Sequence, residues 1–92
     1  MNKKEMTERC RMILQKTDIK ETVSSEDADW LLKNIFPNHP EWGWYEDKGK
    51  ITHITADKAE HGTTCFYVHF GEEMQHSISY IKCIKNIKNT RQ

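Results

Sequence analysis

The 92-residue chain is 30% charged and 36% hydrophobic, which is typical of a small soluble domain and excludes a disordered segment. No apolar run approaches the roughly 20 residues of a membrane-spanning helix, and the N-terminal stretch lacks the apolar core of a secretory signal. We therefore expect one domain over residues 1–92, a cytoplasmic location and no membrane partner. Three widely spaced cysteines, Cys10, Cys65 and Cys83, predict reduced thiols that pack as small apolar groups.

Opposite charges are separated along the chain, although the formal net charge is zero. Residues 1–20 carry six basic and three acidic side chains, and residues 75–92 carry four basic and no acidic ones. Residues 21–47 carry seven acidic side chains and one lysine. The pattern predicts either a surface with two charged poles or basic ends that fold back onto the acidic middle.

Two helices are predicted first. A helix is predicted over residues 3–16, with Met6, Cys10, Ile13 and Leu14 on one helical face that continues to Thr17. The second helix begins after Ser24 or Ser25 as N-cap and ends before Pro37. Its apolar stripe is Ala28, Leu31, Leu32 and Ile35. The acidic side chains of its first turn, Glu26, Asp27 and Asp29, suit the positive end of the helix dipole.

Residues 37–50 are predicted to form a loop, because two prolines and two glycines interrupt them. Trp42 and Trp44 in this loop either cover the core or face a protein partner, and covering the core is favoured because so short a chain needs the buried area. We expect the ring of His39 to hydrogen-bond a backbone carbonyl and so to hold the turn.

Three strands and a last helix complete the predicted fold. The strands cover residues 50–56, 64–70 and 74–80, and the helix covers residues 80–91 with Ile84 and Ile87 turned inward. Alternation divides the strand side chains between two faces of the sheet. The core face holds Ile54, Phe66, Val68, Phe70, Ile78 and Tyr80. The opposite face holds His53, Thr55, Cys65, Tyr67, His69, Ser77 and Ser79. The prediction is an α+β domain in the order α-α-β-β-β-α, with its helices on one face of a three-stranded antiparallel sheet.

The opposite face suggests a nucleic-acid interface, since bases stack on exposed rings and flanking cations neutralise phosphates. Tyr67 and His69 are the candidate stacking residues. The candidate phosphate contacts are Lys82, Lys85, Lys88 and Arg91. The alternative is an ordinary solvated strand face and an ordinary basic end of a helix. The two sets of residues form one surface only if the last helix lies on the same side of the sheet as Tyr67 and His69.

Other chemistry is not indicated. Cys65 and His69 share a strand but lie roughly 13 Å apart, which is too far for one metal ion. No nucleophile motif, phosphate-binding glycine loop or paired metal-ligand spacing is present. We therefore predict a binding module without catalytic residues, metal or cofactor.

Two stretches resemble a known family: ISYIKCI at residues 78–84 and WLLKNIFPNHP at residues 30–40. In order and spacing they are similar to the closing motif and to the helix ending in His-Pro of the DCL domain, named for defective chloroplasts and leaves. The matching residues are His39, Pro40, Ser79, Tyr80, Lys82, Cys83 and Ile84. Lys48 matches the start of a third motif, in which this chain keeps one glycine where the family has two.

The resemblance implies an association with RNA. Plant members of the DCL family are associated with plastid ribosomal RNA processing, and the domain is also attached to a plant-specific RNA polymerase subunit. The family has no established catalytic residues, so none are transferred. The alternative hypothesis is a small protein-interaction module or inhibitor, of the kind encoded by phages or mobile elements, that meets a protein partner through residues 37–50.

Overall fold

The structure, a computed structural model, describes residues 1–87 as four α-helices, a 3-10 turn and one antiparallel sheet. The helices are α1 (Lys3–Lys16), α2 (Ser25–Asn34), α3 (Trp42–Asp47) and α4 (Tyr80–Lys85), and the 3-10 turn is Phe36–Asn38. The strands β1 (His53–Lys58), β2 (Thr64–His69) and β3 (Gln75–Ile78) lie side by side in chain order. The predicted α+β class is confirmed. No helix in this part of the chain combines the length and apolar character that crossing a bilayer requires.

The first two helices begin where the sequence predicts. The side chain of Asn2 accepts the backbone N–H of Glu5, and the carboxylate of Glu5 accepts the N–H of Asn2, so the two residues cap α1 reciprocally. Ser24 caps α2 by accepting the N–H of Asp27 at 3.3 Å. The core sides are also as predicted, since Cys10 and Ile13 of α1 and Leu31 of α2 are buried.

Helix α3 was not predicted, because residues 37–50 have the composition of a loop. The helix is six residues long, which is too short for a repeating apolar pattern to emerge. It buries Tyr45 and half-buries Trp42 against the core, so the expectation that the two tryptophans cover the core holds for Trp42 and is wrong for Trp44, which is exposed. A turn of helix also satisfies the backbone groups of a segment that lies against apolar side chains.

The register of the sheet confirms its two predicted faces. Phe66 in the central strand lies opposite Ala56 and Ile78, and Val68 lies opposite Ile54. All five side chains are buried on the face that takes the helices.

The third strand is shorter than predicted, because it ends at Ile78 instead of Tyr80. Ser79 accepts the N–H of Lys82 at 3.2 Å, so it is the N-cap of α4 and not a strand residue. Tyr80 is then the first residue of α4, half-buried with its ring edge-on to Phe66 at 6.0 Å.

Helix α4 lies on the core side of the sheet. It packs against α1 and the 3-10 turn, and it buries Cys83 and Ile84. The 3-10 turn in turn places Phe36 edge-on to Phe66 of the central strand at 5.7 Å. Asn86 donates to the carbonyl of Asn38 at 2.8 Å, which fastens the end of the helix to the turn. Of the predicted helix, residues 88–91 lie outside the described residues.

A segment between α1 and α2 covers the free edge of β1. Lys20 N–H donates to Ala56 O at 2.6 Å, and Val23 N–H donates to Ile54 O at 2.8 Å. Lys20 adopts a φ of 71°, the left-handed conformation that glycine tolerates best. This short pairing protects the sheet edge, and no turn signal in the sequence predicts it.

Candidate functional site

The predicted stacking residues lie on the face of the sheet that points away from the helices, and their rings are already engaged. His69 stacks on His53 of β1 with ring centroids 4.1 Å apart, and its Nε2 atom lies 2.8 Å from the hydroxyl of Thr55. Burial lowers the pKa of His69, and the neighbouring His53 lowers it further. Tyr67 donates its hydroxyl to the carbonyl of Lys58 at 3.1 Å.

This outer face carries little positive charge. The strand positions that share it are His53, Thr55, Asp57, Cys65, Tyr67, His69, Gln75 and Ser77. Asp57 is the only Asp, Glu, Lys or Arg among these positions. A surface that binds phosphates through this face would have to take its cations from elsewhere.

The predicted phosphate contacts lie on the other side of the sheet. Lys82 and Lys85 are exposed on α4, which packs on the core side together with the other helices. The described residues therefore do not join them to Tyr67 and His69 in one continuous surface. Lys88 and Arg91, the other predicted contacts, lie outside the described residues.

The described parts of the two basic segments meet in the helical layer, because α1 contacts α4. Arg9 and Lys16 of α1 approach the buried carboxylate of Asp27 at 3.8 and 2.8 Å. The hydrogen bond from Lys16 holds the pKa of Asp27 below its usual range, and the Arg9 charge contributes. The basic N-terminal segment therefore contacts the acidic middle segment through these two side chains. This agrees with the prediction that basic ends fold back onto the acidic middle.

Four other cations of the two helices stay in solvent. Lys4 and Arg11 on α1 and Lys82 and Lys85 on α4 are exposed, and none of them forms an ion pair within residues 1–87. The contact between α1 and α4 thus brings together two helices that carry exposed cations from opposite ends of the described chain.

The His-Pro residue pair of the family resemblance sits next to α4. His39 is buried, and its Nδ1 atom accepts the N–H of Glu41 at 3.0 Å. The ring therefore holds the turn as expected, but its partner is an amide and not the predicted carbonyl. Burial lowers the pKa of His39, which fits a neutral ring that accepts through Nδ1. Pro40 follows in an exposed position.

The closing motif supplies packing to the same corner of the molecule. Cys83 is fully buried with its sulfur 4.0 Å from the carbonyl of Phe36, and burial raises the pKa of the Cys83 thiol to about 12. Ser79 caps the helix and Tyr80 packs on Phe66. The closing motif therefore packs α4 against the 3-10 turn and the sheet. Among its matching residues, Lys82 is the one exposed to solvent.

Trp44 forms part of the surface, although the sequence favours a place for it over the core. Its side chain is 44% exposed, and it lies edge-on to Tyr45 at 5.1 Å and to His76 at 4.7 Å. Lys48 places its Nζ atom 4.6 Å from the centroid of the indole. An open groove of about 380 Å³ runs beside the ring and is lined by Glu41, Trp44, Tyr45, His76 and Ser77. We call it the Trp44 groove.

If a helix had been predicted here, its periodicity would have shown that the two tryptophans face opposite sides. Positions 42 and 44 are two residues apart, so a helix turns them roughly 200° from each other. Trp42 consequently packs against the core while Trp44 faces solvent. Among residues 1–87, no group of three or more His, Cys, Asp or Glu side chains is placed to hold a metal ion.

The fold and these surfaces describe a small α+β domain whose helical side carries exposed cations. A model of the family described as "Protein of unknown function (DUF3223)" matches residues 11–84, so the chain belongs to this family. No curated protein and no solved structure gives a significant match.

Proposed function

We propose that this protein is an RNA-binding module that uses the cations of its helical side and not the outer face of its sheet. The contact between α1 and α4 carries the proposal, because these two neighbouring helices lie in the two basic parts of the described chain. Lys82 and Lys85 have no acidic partner there, so their charge is available to phosphates.

The choice of RNA rests on the resemblance to the DCL domain. Two of its motifs meet at the corner where the 3-10 turn contacts α4, and within the closing motif Lys82 is the matching residue that this packing leaves in solvent. The family description assigns no function to the chain, so binding has to be tested directly.

The test is the salt dependence of binding to a single-stranded RNA oligonucleotide, measured by fluorescence anisotropy. Lys82→Glu/Lys85→Glu is expected to weaken binding at least tenfold at about 50 mM salt, because each reversal removes a phosphate contact and adds a repulsion. The slope of log K against log salt should fall by about 1.4, since each phosphate contact to a single strand contributes about 0.7.

A matched control is Lys20→Glu/Lys58→Glu, which changes the net charge equally at the edge formed by β1 and its neighbouring segment. We expect it to retain most of the affinity. Equal weakening by both double variants, or no RNA binding by the native protein at low salt, would overturn the proposal.

The exposed Trp44 favours a second candidate, a protein-interaction module that meets its partner through residues 37–50. Tryptophan is enriched among the residues that dominate protein interfaces. Recovery of one stoichiometric protein from nuclease-treated lysate by the native chain, and its loss with Trp44→Ala, would support this candidate. Recovery that Trp44→Ala leaves unchanged would exclude this surface.

A further inference from the structure

We infer that the Trp44 groove receives one unpaired base of the bound RNA, stacked on the indole. The inference rests on the proposed function and adds to it a residue that reads bases. Among residues 1–87, Trp44 is exposed, whereas every other Phe, Tyr and Trp side chain is buried or half-buried. Stacking on an exposed aromatic ring is the usual way in which proteins hold single-stranded nucleic acid.

The ring is held in place before any ligand arrives. Tyr45, its neighbour, donates its hydroxyl to Ser77 O at 2.8 Å and stacks on Trp42 at 5.9 Å. His76 contacts the indole edge-on from β3 at 4.7 Å. A ring that is fixed in advance loses little conformational freedom on binding, which favours a specific contact over a mobile surface side chain.

Lys48 supplies the first positive charge. In the free protein its ammonium group lies over the indole at 4.6 Å. An incoming base takes this position, and the flexible lysine chain can then follow the adjacent phosphate. The exchange is favourable because an exposed cation–π contact is weaker than a stacked base.

The second positive charge comes from α4, which flanks the same corner. Asn86 donates to Asn38 at 2.8 Å, and His39, two residues before Glu41, lies edge-on to Tyr45 at 5.1 Å. The charge of Lys82 acts on the ring of His39, and Tyr45 lines the Trp44 groove, so Lys82 and the groove both lie near the His39–Tyr45 pair. An RNA strand that binds the α4 lysines therefore passes near the indole.

The acidic residues in and next to α3 limit what the groove accepts. Glu41, the N-cap residue of α3, lines the groove, and Glu46 and Asp47 are exposed on the helix, so a phosphate is repelled from the groove itself. A carboxylate does accept a hydrogen bond from the exocyclic amino group of cytosine or adenine. We therefore assign the groove to a base that carries an amino group, in preference to uracil.

The experiment measures binding of oligo(C), oligo(A) and oligo(U) RNA by tryptophan fluorescence and by anisotropy of a labelled strand. The native protein should show quenching and should prefer oligo(C) or oligo(A) over oligo(U). Trp44→Ala should lower affinity roughly tenfold, and Trp44→Phe should retain most of it because the phenyl ring still stacks. Glu41→Gln should reduce the preference over oligo(U).

Trp42→Phe is the control for quenching, because Trp42 is packed against the core. It should leave the change in fluorescence intact, and circular dichroism should show that each variant keeps its fold. RNA binding that is salt-dependent but unchanged in Trp44→Ala overturns the stacking role and leaves the proposed function standing. Absence of RNA binding in the native protein overturns both, and capture of a protein that requires Trp44 then assigns the groove to a protein partner.

Discussion

Asp27 is buried, although the sequence suggests an ordinary acidic first turn of a helix. Its side chain meets Lys16 at 2.8 Å and Arg9 at 3.8 Å, and Arg9 also lies over the ring of Trp30 at 4.2 Å. These contacts join α2 to α1. The helix dipole explains why an acid is tolerated at this position, but the ion pairs explain why this one is buried.

We predict that Asp27→Asn lowers the free energy of unfolding by about 1–3 kcal/mol at pH 7, because it removes a charged acceptor from two cations. The folded-state pKa of Asp27 is lowered, chiefly by Lys16. Its contribution is therefore fully present above the unfolded pKa of about 3.9 and is lost as the pH falls through the folded pKa. Urea unfolding at pH 7 and near pH 3 measures the effect.

The matched control is Asp29→Asn, two residues further along α2, where the carboxylate is exposed and outside the Lys16 and Arg9 contacts. We expect a change within about 0.5 kcal/mol at either pH. An Asp27→Asn loss that stays constant between the two pH values would contradict the assignment to the ion pairs.

At the scale of elements, α3 acts as a clamp on the outer strand of the sheet. Its buried Tyr45 donates to Ser77 O in β3, and β3 has one neighbouring strand, β2, in the described sheet. The hydroxyl therefore satisfies a backbone acceptor on an edge strand and also shields the edge from other chains. Burial raises the pKa of Tyr45, so the hydroxyl keeps its proton at neutral pH.

We predict that Tyr45→Phe lowers the free energy of unfolding by about 1 kcal/mol, since it leaves the carbonyl of Ser77 without its donor. Thermal or urea unfolding measures the loss, and faster hydrogen exchange in β3 locates it. Tyr67→Phe serves as the comparison, because that hydroxyl also binds a carbonyl, but at an exposed site. It should cost less than about 0.5 kcal/mol, and equal losses for the two variants would argue against the clamp.

At the scale of the whole molecule, two of the three cysteines are part of the core, and their reactivity shows whether the helices stay packed. Cys10 on α1 and Cys83 on α4 are fully buried, and burial raises the pKa of each thiol to about 12. Cys65 is only half-buried on β2, where burial also raises its pKa. The thiolate is the reactive form, so burial protects the first two both sterically and chemically.

We predict that one thiol per chain reacts with Ellman's reagent at pH 8 in the native protein and that two more react only on unfolding. Cys65→Ser should remove the reaction of the native protein and leave the reaction of the two buried thiols on unfolding. The measurement is the absorbance time course with and without denaturant. Two rapidly reacting thiols in the native chain would mean that α4 separates from α1 without global unfolding.

The regular elements follow from local patterns. Periodicity and capping residues predict the limits of α1, the start of α2 after Ser24 or Ser25, and the burial of Phe66 and Val68 in β2; the structure selects Ser24 as the cap. Helix α3 was missed because six residues with a glycine carry no repeat. The end of β3 was misplaced because Ser79 suits either an alternating strand or an N-cap, and only its hydrogen bond to Lys82 decides between them.

The sequence by itself determined the fold class, the two faces of the sheet and the separation of charge, because each depends on neighbours within a few positions. The tertiary structure decided which cations bind Asp27, on which side of the sheet α4 lies and which tryptophan is exposed. These outcomes depend on contacts between side chains far apart in sequence, such as Asn86 with Asn38 and Tyr45 with Ser77. No local periodicity encodes such contacts, so the surface available to a ligand emerges only when the helices dock.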